Sequence, residues 1–407
     1  MIASLPTKPR KYACFCGIDI AKNKHVACVV DRDGKLIVRS QSFTNDAEGY
    51  QRILDRLKEV GGPSKVSIAM EATGHYWYSL HDFLIRHHYD VAVLNPIQTA
   101  KQVTKGIRKT QTDRIDAHHI AVLLKNGEQR PALIPGELGM TCRQLTRLHQ
   151  AMVNQQSRIK RVLWSRLHPV WPEYEDLFAT PFCKTGRTLL NTAPTPQDVL
   201  ALPREDLFDL IRKTSRGKYG TVQAEKVRRA AENSVGTHRG IAATRVSIRL
   251  LLAQLDALKP TREQLEGEIE TLAARLPDYL MTLPGASPLS VVSLFGETDP
   301  IEAFASPSKL IAFAGLDLVV SQSGDYQAPR RHISKRGSPF LRHTLWAMAH
   351  RACYQEGDLR DYWLRRKGQG LSHLESVTAV AIKLCPVVWR IMTDRRPYLI
   401  QRPATKP

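Results

Sequence analysis

Two short apolar runs near the start of this chain each end on an acid, and that pattern narrows what the N-terminal region can fold into. Tyr12-Ala-Cys-Phe-Cys-Gly-Ile18 runs into Asp19, and Val66-Ser-Ile-Ala-Met70 runs into Glu71. Both runs are short, partly β-branched and free of charge, so they read as buried strands. An acid at such a strand end is out of place unless something charged meets it. A second pair, Asp113 and Asp116, opens the amphipathic stretch Ile115-Asp-Ala-His-His-Ile-Ala-Val-Leu-Leu124. Three residues apart on a helix, these two share one face. A lone aspartate at a strand end is more often a turn former or a helix cap. Four carboxylates at coherent positions can instead converge on a divalent cation, and oxygen donors of this kind suit Mg²⁺, with Mn²⁺ as a substitute.

The first 130 residues alternate legibly. Strands are predicted at 12–19, 25–31 and 35–43, the last two joined by the turn Asp31-Arg-Asp-Gly34. A helix over 47–60, a strand over 65–70, a helix over 77–88 and a strand over 90–94 follow, then a helix from Pro96 and the helix with Asp113 and Asp116. Three meandering strands followed by alternating helices and strands describe a mixed α/β sheet of ribonuclease H arrangement. The acids are expected at the carboxyl ends of adjacent central strands.

From residue 137 to about 280 the pattern turns helical. Leu138 to Leu167 is amphipathic and basic, carrying Arg143, Arg147, Arg158, Lys160, Arg161 and Arg166. Residues 171–220 hold scattered prolines and read as an insertion of short helices. A long helix over 240–276 suits a helical hairpin or coiled coil, and Pro260 is expected to kink or break it. Leu283-Pro-Gly-Ala286 resembles the turn of a helix-hairpin-helix, whose amides can hold a phosphate. Downstream, residues 330–367 carry ten Lys or Arg against three acids, interleaved with Tyr354, Tyr362 and Trp363. Three domains are expected: a metal-binding domain over 10–130, a helical region over 131–278 and a C-terminal domain over 279–400.

A net charge of +20 in 407 residues points to a polyanionic partner, and nucleic acid fits better than a membrane. No run of eighteen apolar residues and no N-terminal signal pattern is present, so a cytoplasmic location is expected. The seven cysteines are odd in number and scattered. Cys14-x-Cys16 falls inside a strand, with its two thiols expected on opposite faces, and no zinc or disulfide framework emerges. Gly17-Ile-Asp-Ile20 before a hairpin is also similar to the first phosphate loop of actin-like sugar kinases. Those need a second Asp-Gly phosphate loop and a glycine-rich adenosine segment, and neither is found.

Taken in order, Gly17-Ile-Asp-Ile-Ala-Lys22, Glu71-Ala-Thr-Gly74, Asn95-Pro96 and Thr112-Asp-Arg-Ile-Asp-Ala117 resemble the DEDD transposases of the insertion-sequence 110 family. The resemblance resumes at Leu283-Pro-Gly285, Phe313-Ala-Gly-Leu316, Ser323-Gly324, Ile333-Ser-Lys-Arg-Gly337 and Leu341-Arg342. It implies an N-terminal domain like RuvC, the Holliday-junction resolvase, a coiled-coil middle and a mainly α-helical C-terminal transposase domain. It further implies Mg²⁺ bound by Asp19, Glu71, Asp113 and Asp116, and a nucleophilic serine, here Ser323, that joins covalently to DNA. The partners it implies are double-stranded DNA, a noncoding bridge RNA that selects sequence by pairing, and further copies of the chain as dimer or tetramer.

On residue type alone Ser323 is a turn residue, and Ser321 is a rival in the same loop. Arg330, Arg331, Lys335 and Arg342 are the expected phosphate clamps. Gln111 replaces the lysine the family often has there, and Leu318 replaces a common proline; neither change removes a reacting group. A metal-dependent nuclease or junction resolvase using water needs the acids and not the serine. An RNA-binding scaffold needs neither.

Overall fold

The computed structural model describes residues 12–72, 74–94, 113–127, 132–318 and 332–399, together with the backbone of 322–323 and 326–327. The chain forms two compact units, residues 1–136 and 137–407. The expected helix from Pro96 lies outside the described residues.

In the first unit, β1 (Cys14–Asp19), β2 (Lys24–Asp31) and β3 (Leu36–Thr44) meander, followed by α1 (Ala47–Val60), β4 (Val66–Glu71), α2 (Trp77–Arg86), β5 (Asp90–Leu94) and α3 (Asp113–Asn126). The five strands order as β3-β2-β1-β4-β5, antiparallel across β1, β2 and β3 and parallel across β1, β4 and β5. This is the ribonuclease H arrangement the sequence pattern called for. The β2–β3 turn forms where expected. Asp31 Oδ1 accepts from the amides of Asp33 and Lys35, both at 2.9 Å, and Gly34 takes a φ of 88° that L side chains avoid.

Both faces of the sheet are covered, which is why β1 and β4 read as continuous apolar runs rather than alternating ones. Cys14, Cys16 and Ile18 pack with Leu54 and Leu57 of α1 and Leu80 and Leu84 of α2. Phe15, Ala69, Ala92 and Leu94 pack on the other face with Ala117, Ile120, Ala121 and Leu124 of α3. Cys14 and Cys16 therefore share one face, contrary to the expectation of opposite faces. Side chains alternate with a period of two along a strand, so residues two apart must point the same way. No disulfide joins them. Ile18, Ile68 and Met70 are fully buried, each contributing roughly 1.5–3 kcal/mol to this core.

The second unit is built on two long helices, α4 (Glu137–Leu167) and α9 (Ile241–Ala273). They run antiparallel: His149 Nε2 meets Glu266 Oε1 at 3.1 Å, while Arg262 Nη1 donates to Gln156 Oε1 at 3.0 Å, so position rises on one helix as it falls on the other. Between them lie α5 (Lys184–Thr192), α6 (Pro196–Ala201), α7 (Arg204–Thr214) and α8 (Thr221–Glu232). These short helices share one core with the end of α4 and the start of α9, around Trp171, Tyr174, Leu189, Leu207 and Val227. The insertion is thus the cap of the hairpin.

Pro260 neither ends nor divides α9. It removes one bond, the one its missing N–H would have made to the Asp256 carbonyl. Pro260 is exposed, so water can satisfy that carbonyl, while Leu252, Leu255, Leu265 and Ile269 bury the helix on either side. Pro260→Ala is expected to stabilise the protein by about 1–3 kcal/mol, part of the gain being offset by the freer unfolded chain. Chemical denaturation should move its midpoint upward without changing the slope; a lower midpoint would mean the ring packs usefully.

The C-terminal helices α10 (Pro288–Thr298), α11 (Pro307–Ala314), α12 (Pro339–Ala352), α13 (Asp358–Gly368) and α14 (His373–Asp394) complete this same unit. No compact unit begins near the expected boundary at 279, because α10 lies against α4 so closely that a Cβ on Gly296 would meet the Arg143 amide nitrogen at 2.5 Å. α14 is long and apolar enough to cross a membrane by length and composition. Here Val377, Val380, Leu384, Cys385 and Val388 are buried in the unit's own core.

Candidate active site

The register of the sheet sets the first two acids. Ile18 pairs with Met70 across the parallel β1–β4 ladder, so Asp19 and Glu71 follow at neighbouring strand ends on the same edge. The third and fourth acids arrive on α3, whose seating depends on Gly17. A Cβ there would lie 2.1 Å from the Ala117 carbonyl oxygen and 2.4 Å from the Ala121 nitrogen. Helix and strand thus touch backbone to backbone. The contact is two residues from Asp19 and one residue from Asp116. The signal for it in the sequence is a glycine inside a strand opposite alanines four apart, and reading the glycine as part of a motif missed this role.

Asp19 senses the other three acids. The Asp19 carboxyl is pushed up to about 7, first by burial and then by the charges of Asp113, Asp116 and Glu71; a hydrogen bond from the Ile20 amide acts in the opposite direction. Hard oxygen donors of this kind fit Mg²⁺ or Mn²⁺ in chemistry. Among the described residues, however, no three His, Cys, Asp or Glu side chains are so arranged that they form a ready metal site. Asp113 and Asp116 lie in the first turn of α3, the former exposed and the latter half-buried.

Gly17→Ala tests the seating of α3. The added methyl has backbone on its far side, which cannot rotate away, so α3 must shift. A loss of about 3 kcal/mol or more is expected, comparable to a severe overpacking defect. A thermal melt unchanged from the parent would show that the close approach is not required.

Ser323 ends the two-residue strand β6 (Gln322–Ser323), which pairs with β7 (Tyr326–Gln327), Ser323 opposite Tyr326. The hairpin is rooted below: Leu318 bridges Ile333, the Ser334 amide donates to Asp317 O at 2.8 Å, and the Ser338 amide donates to Phe313 O at 2.7 Å. Thus the motifs around residues 313–316 and 333–337 form the stem of the loop carrying the serine. The serine's side chain, Ser321, Arg330 and Arg331 lie outside the described residues.

Of the other expected phosphate clamps, Arg342 has a side-chain partner within the fold and Lys335 a backbone one. Arg342 Nη1 donates to the Ala314 carbonyl at 3.0 Å, capping the end of α11, where Gly315 turns with φ 65°. Lys335 itself adopts a φ of 54° and its amide donates to Gly315 O. In the Leu283-Pro-Gly285 turn the Gly285 amide is already taken. Gly285 N donates to Gln355 Oε1 at 2.9 Å, and Gly285 O accepts from Arg351 Nε at 2.7 Å. Arg143 and Arg147, part of the basic stripe on α4, also bond to groups of α10. Arg147 makes a two-point pair with the buried Glu297, at 2.7 and 3.1 Å, and Ser338 donates to the same carboxylate at 2.9 Å.

The model of the IS110 group's DEDD domain, described as a transposase, matches residues 16–172, which include all four acids. The model described as transposase IS116/IS110/IS902 family matches residues 278–364, which include Ser323. The two occur in order and together span more than half of the sequence. The chain belongs to this transposase family. A 44.8 kDa protein of insertion element IS116 from Streptomyces clavuligerus is 24% identical over 404 residues, covering 96% of this transposase and 98% of the relative. The pilin gene-inverting protein of Moraxella bovis is 34% identical over 105 residues, 25% of this chain and 31% of that one. A transposase for element IS1111A from Coxiella burnetii is 27% identical over 139 residues, 33% and 38% of the two chains.

Proposed function

We propose that this transposase cleaves and rejoins DNA at the ends of its own insertion element through a covalent phosphoserine link made by Ser323. The observation that supports the reading is that Glu71, Asp113 and Asp116 all lie within range of the Asp19 carboxyl, in a chain otherwise strongly basic. A positive protein that gathers negative charge at one edge of a sheet needs a cation there, and Asp19, Glu71, Asp113 and Asp116 are the residues that would hold Mg²⁺. When bound, the ion supplies charge neutralisation at the scissile phosphate.

In the covalent step Ser323 Oγ gives up its proton and bonds to phosphorus while a deoxyribose oxygen leaves and takes up a proton. The reverse step, with a different deoxyribose hydroxyl, rejoins the strand and releases the serine, so no external energy source is needed. A free serine hydroxyl is a poor nucleophile at neutral pH and requires such help. The reading requires Ser323 and the acids to act on one phosphodiester, supplied by one chain or by two in a dimer or tetramer. The net charge of +20 and the family resemblance support a noncoding guide RNA as the element that selects sequence. The reaction takes place on DNA in the cytoplasm.

The deciding experiment incubates the protein with Mg²⁺, RNA transcribed from the DNA flanking the gene, and duplexes bearing the element ends. A protein–DNA adduct surviving denaturation is the expected product. Nicked DNA with no adduct would favour a water-using nuclease, and RNA binding with no cleavage would favour a scaffold.

A further inference from the structure

A patch of the second unit, on α13 and the middle of α14, gathers cations on aromatic rings. The guanidinium carbons of Arg365 and Arg366 lie 5.8 and 5.1 Å from the centre of the Tyr362 ring, and Lys383 Nζ arrives from α14 at 4.6 Å. Lys367 Nζ stands 4.9 Å from the adjacent Trp363 ring. Arg366 Nε also donates to Tyr362 Oη at 3.0 Å. Among the described residues none of these four cations pairs with a carboxylate, although Asp358 and Asp361 occupy the first turn of α13.

The helix dipole accounts for part of this. Arg365, Arg366 and Lys367 are in the last turn of α13, where positive charge is favoured. It does not account for Lys383, which comes from another helix to the ring already shared by two guanidiniums. Cations brought together without acids raise the local potential and favour a row of phosphates. Beside them Tyr354 is 61% exposed, with its ring centre 5.4 Å from that of Trp363. An exposed ring next to unpaired cations is the combination that binds single strands, whose bases are free to stack while the backbone follows the charge. A duplex hides its base faces and has no use for the ring.

We propose that this patch binds an unpaired DNA strand, its phosphates on Arg365, Arg366, Lys367 and Lys383 and one base stacked on Tyr354. The proposal rests on the reading of the chain as a DNA-cleaving transposase, since strand cleavage and exchange expose single strands. It assigns a strand-holding surface distinct from the acids and from the Ser323 hairpin.

The test uses the full chain in EDTA with labelled oligothymidylate, the matching duplex and oligouridylate. R365Q/R366Q/K383Q should lower single-strand affinity about tenfold or more and flatten the dependence of log affinity on log salt by about two. Tyr354→Ala should cost about tenfold with the salt slope unchanged. Duplex affinity should change less than threefold in both. R212Q/K213Q/K218Q removes the same charge from the hairpin cap and should leave single-strand binding within twofold of the parent. The proposal is overturned if the patch variant loses no more than this control, if duplex binding falls equally, or if oligouridylate loses more than oligothymidylate. Melting curves establish that each variant folds; should the triple variant not fold, Tyr354→Ala and Lys383→Gln carry the same comparison. Because binding is read without Mg²⁺, absence of cleavage by the parent would overturn the proposed reaction and leave the patch standing.

Discussion

Asp19→Asn is expected to raise the melting temperature of the metal-free protein at pH 8 while reducing DNA cleavage on the order of a hundred- to a thousandfold. Both effects have one origin. Asp19 is partly buried among three other carboxylates, and its proton is held until about pH 7. An unfolded chain releases that proton near the ordinary value of 3.8. The folded state therefore binds more protons than the unfolded state between those two values, and stability from this group falls as pH rises through about 7. At pH 8 the parent bears the full repulsion and the asparagine variant does not; at pH 4 the two should differ little. Active sites commonly give up stability for function in this manner.

Divalent ions should reverse the order. Mn²⁺ or Mg²⁺ needs the ionised carboxylates, so its affinity for the parent should climb with pH up to about 7, the value to which Asp19 is raised. Bound ion should lift the parent's melting temperature, by an amount that grows with concentration, and leave Asp19→Asn nearly unmoved. Scanning fluorimetry at both pH values, with and without Mn²⁺, reads all of this in one experiment. A variant less stable than the parent at pH 8, or one that gains as much from Mn²⁺, would show that the acids are not a cation site.

How much of this could be read from the residues depends on the range of the interaction that fixes each feature. The strands β1, β4 and β5 were legible because a short, doubly covered strand has almost no other way to look. The two acids at their ends were legible for the same reason, since a charge interrupts the run. The close approach at Gly17 was not, because it depends on α3, nearly a hundred residues later, meeting the strand through Ala117 and Ala121. Of the kink or break expected at Pro260, the break does not occur: local propensity argues for one, and packing on both sides of an exposed proline outweighs one lost bond. Arg342 and the Gly285 turn have the composition of phosphate-binding groups, yet both are used by neighbouring backbone or side chains. A basic residue does not reveal in sequence whether it faces a carbonyl or solvent. Ser323 is the clearest case, because a two-residue strand has no periodicity to detect; only the motifs that form its stem mark it.

Ser323→Ala should abolish the covalent protein–DNA adduct, whereas Ser321→Ala should retain most of it. The hairpin gives the reason to separate two serines only two residues apart. Ser323 is at the end of β6, directly opposite Tyr326, where the ladder pairs its backbone. A nucleophile has to be held at a definite position before its hydroxyl can be aligned with a phosphorus, and such positioning accounts for many orders of magnitude in rate. In denaturing gels with labelled element-end DNA, the Ser323→Ala lane should contain no shifted band even after long incubation. Its acids are unaltered, so Mn²⁺ should still raise its melting temperature as in the parent. Asp19→Asn should lose both the band and the metal response. Ser323→Cys discriminates further, because a thiolate forms readily near neutral pH and a trapped phosphothioester-type adduct would place the reacting atom at this position. If instead Ser323→Ala keeps the adduct and Ser321→Ala loses it, the nucleophile is the neighbouring serine. If both keep cleavage without any adduct, water is the attacking group and the acids act alone.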